Sequence, residues 1–250
     1  MTIAAADLNR RRGEYGIDAP YVPFWMGGGA VASIAMAFIG AVLSIPTLGI
    51  PALNIGLALA ASVADYLYAS RVGKFAVWAE LLLSLDLRGD ERLLDLGCGR
   101  GAVLLMAAKL VPRGHAVGID LWKTSDQSGN ALDVARGNAQ LEGVADRVDL
   151  RTGDMRALPF EDESFDLVLS SLAIHNIPDA SGRARAIDEG VRVLRRGGLI
   201  LIADINATRE YEARLRERGM AEVERRSLGL RMWFGGPWVA ASLVRARKPL

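Results

Sequence analysis

The residues Leu93-Leu94-Asp95-Leu96-Gly97-Cys98-Gly99-Arg100-Gly101 carry the strongest chemical pattern in this chain. An apolar run ends in an acid, three glycines alternate with other residues, and a helical stretch follows from Ala102 to Lys109. That pattern predicts a buried strand, a tight turn and a helix start. Glycines let the backbone come close to a ligand, and the helix start offers unpaired N–H groups. Nineteen residues beyond Gly101, Asp120 closes a second apolar strand, Ala116 to Ile119. A carboxylate there can accept both hydroxyls of a ribose. These residues predict the first unit of a nucleotide-binding α/β domain.

Two cofactor classes share this layout, because Gly97-x-Gly99-x-x-Ala102 also fits the looser dinucleotide fingerprint. Asp95, two residues before the first glycine, favours S-adenosylmethionine. Its carboxylate would help position a cationic amino-acid group and would repel a pyrophosphate. Asp154 follows a third short strand, Val148 to Arg151, where it can accept from an adenine amino group. A fourth strand is expected within Asp162 to Ser171. Val193 to Ile202 reads as a helix end, a glycine turn and a fifth strand.

From roughly Arg71 to Pro249 this series resembles the class I S-adenosylmethionine-dependent methyltransferases, most closely the branch containing quinone-biosynthesis and arsenite methyltransferases. The resemblance implies a Rossmann-like α/β domain with a mostly parallel seven-stranded sheet, and S-adenosylmethionine as cofactor. It implies that Asp95, Gly97, Cys98 and Gly99, in the turn that ends at Gly101, line the methionine end. Asp120 would hold the ribose with Leu121 beside the adenine. Asp154 and Met155 would form the adenine pocket, and the Ser170 backbone would meet the amino group. His175, just past the fourth strand, falls where this fold places substrate groups, and imidazole suits proton abstraction near neutral pH. The polar loop Leu121 to Asn130 is either a plain surface loop or a substrate lid. The patterned segment Tyr15 to Pro23 is expected to fold back over the site, with Tyr15, Asp18 and Tyr21 as weaker substrate candidates.

Upstream, Ala19 to Ala64 contains no Asp, Glu, Lys, Arg or His. Phe24 to Ile45 would span about 33 Å as a helix, enough for a bilayer core. Pro46, Gly49 and Pro51 are expected to break it, with Pro46 to Ile50 as the connection and Pro51 to Tyr68 as a second helix. Arg10, Arg11 and Arg12 precede the pair, and Arg71 and Lys74 follow it, which predicts that both flanks are cytoplasmic. Tyr21, Phe24, Trp25, Tyr66 and Tyr68 sit at the expected interfaces. Small residues from Gly27 to Ala41 permit close helix approach and association with a second copy. The chain thus divides into a cytoplasmic segment (1–23), a two-helix transmembrane anchor (24–69) and a methyltransferase domain (70–250). Val72 to Leu83 has helical spacing and is expected to continue from the second membrane helix, with Trp78 in the core.

The remaining composition excludes more than it assigns. The chain has 30 Lys and Arg against 29 Asp and Glu, so no field favours nucleic acid. Its one cysteine, Cys98, permits no internal disulfide and no cysteine-based metal site. It also separates this sequence from the arsenite methyltransferases it resembles, whose chemistry depends on several cysteines. The expectation is a multi-pass enzyme of the cell membrane, with membrane lipids around its anchor and its catalytic domain in the cytoplasm. Its acceptor would be a lipophilic small molecule: a quinone precursor, an isoprenoid or a lipid. The alternatives are a methyltransferase of membrane proteins or peptides, and a non-catalytic membrane-bound cofactor-binding module.

Overall fold

The computed structural model describes residues 5–250. A short helix α1 (Ala5–Leu8) leads into two long apolar helices, α2 (Tyr21–Val42) and α3 (Pro46–Tyr68). A π-helical turn, Ala69–Gly73, joins α3 to α4 (Lys74–Leu83) without a break. The domain then alternates: β1 (Arg92–Leu96), α5 (Ala102–Leu110), β2 (His115–Asp120), α6 (Leu132–Glu142), β3 (Val148–Thr152), β4 (Phe165–Ser171), α7 (Ala180–Val193), β5 (Leu194–Asp204), α8 (Thr208–Glu217), β6 (Ala221–Ser227) and β7 (Ser242–Arg247).

The seven strands form one sheet in the order β3-β2-β1-β4-β5-β7-β6, parallel except for β7, which runs antiparallel to β5 and β6. This is the expected Rossmann-like architecture. Apolar side chains cover both faces. Phe75, Trp78 and Leu82 of α4 pack with Leu104 and Leu105 of α5 and Ala135 and Ala139 of α6 on one side. Ile187 of α7 packs with Tyr211 and Leu215 of α8 on the other. The strand order reverses between β1 and β4, and ligands of such sheets bind beyond the strand ends at that crevice.

Two local expectations are corrected. Pro46 to Ile50 is not a loop. Pro46 occupies the first turn of α3, where its missing N–H has no partner to lose, and Pro51 lies inside the helix. The connection is only Leu43-Ser44-Ile45, with Ile45 N–H donating to Gly40 O at 2.7 Å. A Cβ on Gly40 would lie 2.6 Å from the Gly49 backbone, so the hairpin closes glycine on glycine. The glycine turn before β5 is absorbed into that strand as an irregularity. Phe165 pairs with Leu194 and Leu167 with Leu199, while Gly197 takes the left-handed conformation between them.

The hairpin is not buried in the rest of the chain. Phe24, Trp25, Val31 and Phe38 of α2 and Ile50, Ile55 and Leu57 of α3 are all exposed. Only 17% and 11% of the two most apolar windows is buried. Gly29, Ala30, Gly40, Gly49 and Gly56 line the α2–α3 contact, whereas Gly27 and Gly28 face open space. The loop between β6 and β7 docks on the hairpin's exit. Phe234 stacks edge-on against Tyr66, with ring centroids 5.5 Å apart, and Arg231 pairs with Glu80 of α4. Trp238 and Leu230 of that loop stay exposed.

Candidate active site

A pocket of about 960 Å³, open mouth included, lies at the C-terminal ends of β1, β2, β3 and β4. Asp95, Gly97, Cys98, Gly99, Asp120, Leu121, Asp154 and Met155 all line it. Sequence positions far apart meet here because β1 sits between β2 and β4 in the sheet.

At the inner end, Asp95 is buried and its Oδ1 has no hydrogen-bond partner. Burial, with the charge of Asp120 nearby, pushes its carboxyl up to about 7. Gly97 and Gly99 have φ of +74° and +51°, which L side chains rarely adopt. A Cβ on Gly97 would fall 2.3 Å from the Ala173 Cβ, and one on Gly99 would fall 2.6 Å from Gln127 Oε1. Gly97 is therefore required by space as well as by conformation, and Gly99 chiefly by conformation, since its neighbour is the end of a flexible side chain. Cys98 is buried in the same turn, and its thiol is held well above the usual range, first by burial and then by Asp95 and Asp120. It is inert packing rather than a nucleophile.

Asp120 is held by the turn it serves. Its Oδ2 accepts from Gly99 N–H at 2.9 Å, and its Oδ1 accepts from Trp122 N–H at 2.6 Å and from Asn130 Nδ2 at 3.2 Å. An ionised carboxylate offers about four acceptor sites, so capacity remains for a ribose hydroxyl. Asp154 is gripped by Arg156, whose backbone N–H, Nε and Nη2 all donate to it. Those bonds hold its carboxyl below the ordinary range. Trp122 and Leu172 adopt left-handed backbone near the pocket, at φ of +57° and +55°. Such residues cost roughly 1–2 kcal/mol each and persist where surrounding structure imposes them.

Three expected site residues lie outside the pocket wall. Gly101, with φ of +87°, caps the start of α5. Ser170 is fully buried and donates its hydroxyl to Leu96 O at 2.9 Å, so the wall at the end of β4 begins one residue later, at Ser171. Trp78 is core, as expected, and braces that wall by donating Nε1–H to Ser171 Oγ at 2.9 Å.

His175 is the third. Its Nδ1 lies 2.5 Å from Asp204 Oδ1, and its backbone N–H donates to Asp204 Oδ2 at 3.1 Å. Its chain neighbours Asn176 and Ile177 line the pocket. Burial lowers the imidazole pKa. Asp204, together with Asp126 and Asp18 of the pocket wall, outweighs burial and leaves it raised. Asp204 is itself buried at the end of β5, and also accepts from Ile205 N–H at 2.8 Å and Tyr211 OH at 3.2 Å. Sequence reasoning missed Asp204. Its signal was an acid closing an otherwise apolar strand, the same signal that marked Asp95 and Asp120.

The segment before α2 does fold over the site. Ile17 and Ser128 exchange hydrogen bonds at 2.8 and 2.9 Å, Ala19 N–H donates to Asp126 O, and Gln127 Nε2 donates to Tyr15 O. Asp126, Gln127 and Asn130 join the pocket wall, so the polar loop and this strap make one roof. Of the three weaker candidates, Asp18 lines the pocket. Tyr15 is buried against Glu142 instead, and Tyr21 is exposed at the start of α2. Two residues assigned to the membrane flank are corrected here. Lys74 is buried and pairs with Asp18, and Tyr66 is buried with its OH donating to Asp18 O at 2.9 Å. With Ser70 Oγ donating to Asp18 Oδ2 at 2.8 Å, both ends of the apolar hairpin are pinned at the pocket wall.

Residues 87–229, more than half of the chain, match a family model described as a methyltransferase domain. The chain belongs to this methyltransferase family. A ubiquinone/menaquinone biosynthesis C-methyltransferase, UbiE, from Roseobacter denitrificans is 32% identical over 136 residues, which is 54% of this chain and 51% of that protein. The methyltransferase GfsG of Streptomyces halstedii is 36% identical over 50% of this chain and 42% of its own length. The chain thus spans about half the length of the curated relatives it matches. Among solved structures, the [4+2]-cyclase SpnF aligns with a TM-score of 0.58 at 21% identity, covering 71% of this chain and 83% of SpnF. A geranyl diphosphate methyltransferase in complex with S-adenosylmethionine aligns at 0.57 and 17% identity, covering 74% and 90%. At these identities the likeness is one of fold.

The pocket fits S-adenosylmethionine, the family's methyl donor. Asp95 would offer a bare buried oxygen to its ammonium, the two glycines would leave room for its chain, and Asp120 lines the same pocket with acceptor capacity to spare for a ribose hydroxyl.

Proposed function

We propose that this protein is an integral membrane methyltransferase whose acceptor is a lipophilic small molecule, such as a quinone precursor, an isoprenoid or a lipid. Bound S-adenosylmethionine supplies an electrophilic methyl group on sulfur. Asp95, Asp120, Leu121, Asp154 and Met155 hold it in place, and much of the rate then comes from positioning and from excluding water. His175 takes the proton that the acceptor gives up. Asp204 only accepts hydrogen bonds when ionised, so it fixes Nδ1 as the protonated nitrogen and leaves Nε2 free as the base.

The observation that carries the membrane reading is the bare hairpin. A core helix of a soluble domain is mostly covered, whereas α2 and α3 leave their apolar faces open along their length. Asp18 and Lys74 hold the two ends of that hairpin together at the cofactor pocket, which supports a catalytic domain lying against one membrane face. Arg10, Arg11, Arg12 and Arg71 at those ends favour the cytoplasmic face. The exposed Phe24, Trp25, Leu230 and Trp238 suit the headgroup layer. The names of the quinone and geranyl diphosphate methyltransferases among the similar proteins support a hydrophobic acceptor.

Membrane fractionation tests the anchor. The full-length protein is expected to stay in the pellet through carbonate extraction, and its release into the soluble fraction would overturn the reading. Methyl transfer from radiolabelled donor to a panel of extracted membrane lipids and quinone precursors then tests the acceptor class. Label confined to protein would favour a protein substrate.

A further inference from the structure

Two opposite charges, Asp95 and Lys74, line the same pocket. Asp95 presents a bare carboxylate oxygen. Lys74, on the first turn of α4, lines the same pocket at 4% exposure, and its charge acts on Asp95. A buried ion pair is seldom a net gain in stability over well-packed apolar residues. The pairing of Lys74 with Asp18 at the wall of a ligand pocket therefore calls for a reason beyond bracing.

S-adenosylmethionine has an amino-acid end that is a zwitterion, one ammonium and one carboxylate, while its adenosine end is uncharged. Among the described residues, three cations line the pocket: Lys74, Lys123 and Arg156. Lys123 is exposed and follows Asp120 and Leu121, on the adenosine side. Arg156 is committed to Asp154. Lys74 is the one whose neighbours Asp18 and Ser70 hold its ammonium at the pocket wall, with a charge that reaches Asp95. Its Nζ has three protons, and among the described residues it donates only to Asp18, at 2.8 and 2.7 Å to the two oxygens. A donor is left over. Asp18 in turn is fixed independently of the lysine, by Ser70 Oγ and by the strap's pairing with Gln127.

We propose that Lys74 is the counter-charge for the carboxylate of S-adenosylmethionine, held in position for it by Asp18. The pocket is then matched to a whole amino acid: Asp95 for the ammonium, Lys74 for the carboxylate. Because Lys74 directly follows the π-helical turn that ends the membrane-facing helix, cofactor and hairpin share one anchoring residue.

The inference rests on S-adenosylmethionine as the ligand, and the test separates the two. Calorimetry on the full chain in detergent micelles would compare S-adenosylhomocysteine, its decarboxylated analogue and 5′-methylthioadenosine. Removing the carboxylate from the ligand should weaken binding to the wild-type protein by about 10- to 100-fold, the range of a charge-assisted contact. Lys74→Met should weaken S-adenosylhomocysteine by a similar factor and leave the decarboxylated analogue within about twofold, and Lys74→Arg should recover part of the loss. Equal loss for both ligands in Lys74→Met would assign the lysine to bracing and overturn the proposal. If Lys74→Met does not fold, the wild-type ligand series decides alone: equal affinity with and without the carboxylate overturns it. A wild-type protein that binds none of the three ligands removes the cofactor itself, a result distinct from indifference to the carboxylate.

Discussion

Asp204→Asn is the sharpest perturbation of the proposed chemistry, because it changes charge and hydrogen-bond direction while keeping shape. Asp204 accepts three hydrogen bonds, from the His175 backbone, the Ile205 backbone and the Tyr211 hydroxyl, and its Oδ1 lies 2.5 Å from His175 Nδ1. With its oxygen in the Oδ2 position the asparagine amide still accepts from the His175 backbone N–H and the Tyr211 hydroxyl, at the loss of the Ile205 N–H bond to Oδ1. Its NH₂, facing Nδ1, forces the imidazole into the other tautomer, with the proton on Nε2 and no free base toward the acceptor. Loss of a general base slows turnover by roughly two to four orders of magnitude. The imidazole pKa should move too. Burial alone lowers it; the Asp204 hydrogen bond and charge are the first causes that raise it, and Asp126 and Asp18 add less. The wild-type limb of the pH–rate profile should therefore lie above the ordinary histidine value, and the variant's below the wild-type's.

NMR reads the same quantity without an acceptor, since the chain has only two histidines, His115 and His175. The sign of the stability effect follows. A folded pKa raised above the unfolded one stabilises the fold fully below the unfolded value, and that contribution fades as pH rises through the folded one. Wild-type thermal stability should exceed that of Asp204→Asn most at acid pH, with the gap narrowing into the alkaline range. A wild-type His175 titrating at or below the ordinary value, or a variant with an unchanged pKa and turnover, would refute the dyad.

Two further outcomes follow from the geometry. Asp95, pushed up to about 7 in the ligand-free pocket, must lose its proton to meet an ammonium, so S-adenosylhomocysteine affinity should rise up to about tenfold per pH unit below that value and flatten above it. Calorimetry in buffers of different ionisation enthalpy should detect the released proton, and Asp95→Asn should bind weakly with no pH slope. Gly73→Ala tests the docking of the β6–β7 loop, because its Cβ would fall 1.8 Å from Arg231 O, with backbone rather than a flexible side chain in the way. We expect at least about 2 kcal/mol of lost stability from such a clash, with faster proteolysis within residues 228–241; unchanged proteolysis would show that the loop does not rest on the helix.

What the sequence made legible was local. Asp95, Gly97, Gly99 and Asp120 stood out because each lies at a strand end followed by a turn, where apolar runs and glycine spacing survive in one dimension, and all four meet in the pocket. The helical hairpin was legible through the uncharged run from Ala19 to Ala64. Its boundaries were not, because proline and glycine mark a break only by default: Pro46 in the first turn costs α3 little, and Gly40 against Gly49 lets the turn shrink to three residues. The charges misled in a different way. Lys74 looked like a solvated flank because it follows an apolar stretch, and Asp204, two residues past the expected end of the fifth strand, drew no reading at all. Each acquires its role only from a partner distant in sequence, Asp18 before the hairpin and His175 beyond the neighbouring strand. A charge next to an apolar run is thus ambiguous on its own. It reads as solvated until the fold supplies an opposite group, and in this protein the fold supplies one at both places beside the pocket, pinning the hairpin at the first and orienting an imidazole at the second.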